Sequence, residues 1–133
     1  MKIDTSANLM ELTKMLTVAS LISIILFVVH LADDISRGIE AGDLNDLTGG
    51  TAITVVWLYG TLVLRERLVG RIIMLVGGIF AVLIPYVHMR GVGIGEIARS
   101  SGGIIFALTL LLLALAGVFS VLLSTHDFWR LRR

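Results

Sequence analysis

MLTVASLISIILFVVHLADDISRG, Met15–Gly38, is the stretch that decides the fold. From Met15 to Ala32 it carries no Asp, Glu, Lys or Arg. An uninterrupted apolar run of about 18 residues reads as a membrane-spanning helix, because a helix satisfies its own backbone polar groups in hydrocarbon. The run closes on His30-Leu31-Ala32-Asp33, without the small-x-small pattern of a signal-peptide cleavage site, so it is expected to stay in the mature chain.

The pattern recurs along the 133 residues. Four spans are expected, at about 9–36, 48–64, 68–88 and 103–124, the second short and rich in threonine. At about 1.5 Å per residue, such helices come close to the thickness of a bilayer core. Composition agrees: 56% of residues are apolar and 16% charged, against roughly a quarter charged in ordinary soluble domains. The fold class expected is therefore all-α, a single integral membrane four-helix bundle running up-down-up-down. Cysteine is absent, which excludes disulfides and thiolate chemistry. A net charge of +1 gives no reason to expect nucleic acid. The GVGIG run at 91–95 has neither the preceding strand nor the lysine of a phosphate-cradling loop, so no nucleotide is expected.

Basic residues set the expected direction. With the N-terminus inside, Lys2, Lys14, Arg65, Arg67, Arg71, Arg130, Arg132 and Arg133 are cytoplasmic, and only Arg37, Arg90 and Arg99 are outside. That bias predicts a multi-pass protein of the cytoplasmic (inner) membrane with both termini inside. On this reading Arg71 snorkels to the inner headgroups.

Helices in lipid associate through small residues and occasional polar contacts. The expected packing positions are Gly77 and Ala81 on the third span, and Gly103, Ala107, Ala114 and Gly117 on the fourth. The first span offers Thr13, Thr17, Ser20, Phe27, His30, Asp34 and Arg37 on one face, and the second Thr51, Thr54 and Thr61. Pro85 is expected to kink the third span. Trp57 and Tyr59 each need a hydrogen-bond partner.

The chemistry lies at the end of the first span. His30 shares a helix face with Asp33 and Asp34, and Asp33 precedes Arg37 by four residues. Two aspartates at a helix C-terminus oppose the macrodipole and call for a counter-charge. In an up-down-up-down bundle His88 ends at the same depth, which defines an outer-face cluster of His30, Asp33, Asp34, Arg37, His88, Arg90 and Glu96. One reading makes this the membrane boundary of a non-enzymatic interaction or small-ligand-binding module, its working face outward. A second makes His30, His88 and Asp34 ligands of a divalent metal such as zinc, iron or manganese. In a third, His30 and His88 hold a haem between them. A fourth makes the chain a subunit of an oligomeric ion or small-solute pore. The partners expected are the lipid bilayer, other membrane proteins or further copies of the chain. No catalytic constellation is visible.

Overall fold

A computed structural model describes residues 5–37, 44–90, 99 and 101–131. These form four helices and, among the described residues, no strand: α1 (Thr5–Ser36), α2 (Leu44–Leu62), α3 (Leu68–Arg90) and α4 (Gly103–Leu131). Three are long and apolar enough to cross a membrane. The apolar part of the other, Leu47–Leu62, covers only roughly 24 Å. Helix α4 continues past the expected end at 124 to Leu131, and α3 runs through Pro85 to Arg90.

The outside of the bundle is hydrocarbon-like. Ile25, Val63, Val87, Ile104, Ile105 and Leu122 each expose 60% or more of their surface. So extensive an apolar exterior is foreign to a water-soluble monomer and suits contact with lipid.

What lies inside follows from helix period. On α4 the buried residues are Gly103, Phe106, Leu110, Leu113, Gly117, Ser120, Ser124 and Asp127, alternating steps of three and four along one stripe. The expected positions Ala107 and Ala114 flank that stripe and are half-buried. On α1 the buried face includes Thr17, Ser20, Phe27, His30 and Asp34. On α2, Thr51 faces outward, whereas Trp57, Gly60 and Thr61 face in.

Glycines set the spacing. A Cβ at Gly117 would stand 2.8 Å from the Gly78 carbonyl oxygen and 2.9 Å from the Ala81 Cβ, so α3 and α4 cross almost backbone to backbone. Gly77 makes the socket for Trp57, whose indole fills the space a Cβ there would need. The indole N–H donates to Ser20 Oγ at 2.9 Å, and that oxygen is 2.8 Å from Thr61 Oγ1. The indole thus finds its partner on a neighbouring helix, while Tyr59 remains about half exposed. Around it Ile24, Phe27, Trp57, Ala81 and Leu113 form the apolar middle of the bundle, with Phe80 set edge-on to Phe27 at 5.4 Å.

Replacing Gly77 with alanine should force Trp57 from its socket and lower stability by about 1–3 kcal/mol. The same change at Gly49, where nothing lies within 4 Å, should be neutral or slightly stabilising. SDS titration of detergent-purified variants measures both, and equal behaviour at the two sites contradicts the packing described.

Candidate metal centre

The C-terminal ends of α1 and α3 meet the first turns of α4. Three polar side chains converge there. His30 comes from α1, Asp34 follows one turn later on the same face, and His88 arrives from α3 near its end. Residue exposure falls to 1% for His30 and 3% for Asp34. One candidate ligand atom from each of the three lies within 4.8 Å of the others.

The hydrogen bonding fixes one tautomer. His88 Nδ1 is 2.9 Å from the Ile84 carbonyl oxygen, which can only accept, so Nδ1 carries the proton. His88 Nε2 then faces Asp34 Oδ2 at 3.1 Å. His30 Nε2 stands 3.2 Å from the same oxygen, but without the alignment a hydrogen bond needs. Neither nitrogen of His30 has a hydrogen-bond partner among the described residues. If His88 is neutral and Asp34 ionised, lone pair faces lone pair across 3.1 Å. An electropositive atom must sit between them: a proton or a metal ion.

Geometry separates the candidate groups. Metal–ligand bonds of about 2.0–2.1 Å in a tetrahedral site put neighbouring ligand atoms roughly 3.3 Å apart. The two nitrogen–oxygen distances are close to that spacing. A porphyrin requires a slot between two imidazoles held on opposite faces. Here the rings touch edge to face with centroids 4.8 Å apart, and Phe106 packs on both, at 4.8 Å from His30 and 5.9 Å from His88. A haem does not fit between these rings; a bare ion needs far less room, although the three ligand atoms, spread over up to 4.8 Å, would have to draw together around it.

Asp33, adjacent in sequence to Asp34, points elsewhere. It accepts from Arg37 Nε at 3.1 Å and is 27% exposed at its side chain. Arg37 also donates from Nη1 to the Ser101 carbonyl at 3.1 Å and lies over the Phe106 ring at 5.3 Å. The expected cluster therefore divides into a buried triad and a half-buried pair beside it. Arg90 ends α3, but its side chain and all of Glu96 lie outside the described residues.

Sequence reasoning missed the opposite end. Arg71 does not simply reach for headgroups: its Nη1 is 2.9 Å from Asp127 Oδ2, with side-chain exposures of 13% and 2%. Ser124 and Ser120, one and two turns back along α4 from Asp127, are fully buried. The available signal was the spacing of Ser120, Ser124 and Asp127, which share one helix face.

No protein-family model, curated protein or solved structure matches this chain.

Removing one partner of a buried ion pair strands the other. Arg71→Met, which leaves Asp127 buried and unpaired, should cost about 3–5 kcal/mol. Asp127→Leu should cost less, because the partly exposed Arg71 can extend to the surface, and the double variant should recover most of the loss. Stability that falls additively in the double variant rules out the pair.

Proposed function

We propose that this chain is a small multi-pass protein of the cytoplasmic membrane that binds one divalent transition-metal ion through His30, Asp34 and His88. The single observation carrying this reading is the convergence of two imidazoles on one buried carboxylate oxygen, at 3.1 and 3.2 Å. Two nitrogen donors and one oxygen donor suit zinc, iron or manganese better than calcium or magnesium, which favour oxygen throughout. The Ile84 carbonyl acts as the outer partner of His88, fixing the ring so that Nε2 presents its lone pair, as metal-bound histidines commonly require. Phe106 backs both rings and limits their rotation. Three protein donors leave a further coordination position, suited to an ion that is taken up and passed on. On this reading the chain serves as a binding protein for the ion.

Both termini are assigned to the cytoplasm, with the triad near the outer surface, on the excess of Lys and Arg at the opposite end. Single cysteines at Gly42 and Ile94 should react with an impermeant maleimide added to intact cells, and one at Ser6 should not. The reverse labelling would invert the assignment.

Detergent-purified protein loaded with cobalt(II) and desalted should retain about one equivalent, with visible ligand-field absorption. His30→Ala, His88→Ala and Asp34→Ala should each weaken retention by at least roughly a hundredfold, the upper range for the outer partners of metal ligands. His126→Ala should not. Wild-type protein that retains no cobalt, zinc, iron or manganese refutes the metal reading and leaves a proton-held clamp between α1 and α3.

A further inference from the structure

The triad is nearly sealed, so an ion reaching it needs a way in. Among the described residues, Arg37 makes the contacts that cover this end of the triad. Arg37 leaves the last turn of α1, is held by Asp33, and donates across to the Ser101 carbonyl just before α4. Its guanidinium also lies over the Phe106 ring, the same ring that packs on His30 and His88. Beneath it, Gly102 adopts φ +72°, and a Cβ there would stand 2.9 Å from Arg37 Nη2. The left-handed backbone at Gly102 is one that glycine adopts without strain, and the guanidinium packs close against it.

We propose that Arg37 is a strap across the mouth of the His30–Asp34–His88 pocket, and that its release from Asp33 and Ser101 opens the aqueous route by which the metal ion enters and leaves. This regulation rests on the metal reading for its purpose, but the closure itself can be tested without metal. Several features suit a strap rather than a permanent clamp. The side chain is 19% exposed, so water can compete for its hydrogen bonds. Its hydrogen bonds include one to a partly exposed carboxylate and one to a backbone carbonyl, both within reach of water. The contact on Phe106 couples strap to site: when the guanidinium lifts, the ring that backs both imidazoles loses its cover and gains room to turn. A cation on the strap also repels an approaching metal ion, and withdrawing it leaves the Asp33 carboxylate as an attractive first stop.

Carbethoxylation by diethyl pyrocarbonate reads the closure directly, because the chain has three histidines and only His126 is exposed. In metal-free, detergent-purified wild type, peptide mass spectrometry should find His126 modified at least tenfold faster than His30. In Arg37→Gln the His30 rate should rise tenfold or more, with His126 unchanged and helicity retained by circular dichroism. Asp33→Asn, which keeps the arginine but removes its anchor, should give an intermediate rise and stands as the check if Arg37→Gln fails to fold. In cobalt-loaded protein, release to excess EDTA should accelerate by a similar factor in both variants while the absorption spectrum keeps its shape. His30 equally protected in wild type and both variants overturns the strap. Faster modification accompanied by an altered cobalt spectrum also overturns it, since Arg37 would then be holding the ligands rather than closing the pocket. Wild type that shows the histidine protection and its loss in the variants, yet takes up no metal, keeps the strap and removes the metal reading.

Discussion

Asp34 Oδ2 is shared by two imidazole nitrogens, and the end of the bundle is organised around that sharing. A carboxylate buried to this degree cannot stably face the lone pair that His88 Nε2 turns toward it. Water, which would ordinarily resolve the conflict, has little access to a residue 3% exposed. An electropositive centre between the groups would relieve the repulsion and tie α1 to α3, which also meet where Phe80 is set edge-on to Phe27. Phe106 from α4 then closes against both rings, so three of the four helices are fastened at one point.

The opposite end solves a similar problem with a different partner. Asp127 is as buried as Asp34, but Arg71 supplies a permanent cation within 2.9 Å. Arginine stays charged at any physiological pH and brings its own counter-charge on a flexible stem. Imidazole does neither with certainty: it can be neutral, protonated or metal-bound. The arginine end is thus a fixed tie between α3 and α4, and the histidine end is one whose charge depends on what occupies it. Between them the two helices approach closely at Gly78 and Gly117, where a Cβ on Gly117 would stand 2.8 Å from the Gly78 carbonyl oxygen.

Much of α1 was legible from sequence alone. Thr17, Ser20, Phe27, His30 and Asp34 recur at steps of three, four and seven, and a polar residue inside an apolar run marks the face that cannot meet lipid. The interior of α4 was less legible, because Phe106 and Leu113 are chemically indistinguishable from their lipid-facing neighbours; selecting small residues found Gly103 and Gly117 but passed over them. Arg71 near a helix start has two outlets in a membrane protein, headgroups or a buried acid. Only the separation between α3 and α4, a non-local quantity, decides between these. The same holds for Asp33 and Asp34. Adjacent residues on a helix point about 100° apart, and which of the two turns toward His88 depends on how α1 is rotated against its neighbours.

Charge balance distinguishes what can hold the triad together. With a proton there, an imidazolium and a carboxylate sum to zero, and the Asp33–Arg37 pair beside them is also neutral, so these groups carry no excess charge between them. With a divalent ion between neutral imidazoles and one carboxylate, a positive charge is left over in surroundings of low polarity, where uncompensated charge is expensive. On the metal reading, that excess favours an anionic donor in the remaining coordination position, or the charge of Asp33 after Arg37 has moved away. The strap and the ion are then alternative cations for the same stretch of acid at the end of α1. That competition gives a physical reason for placing two aspartates, an arginine and a histidine together where the helix meets water.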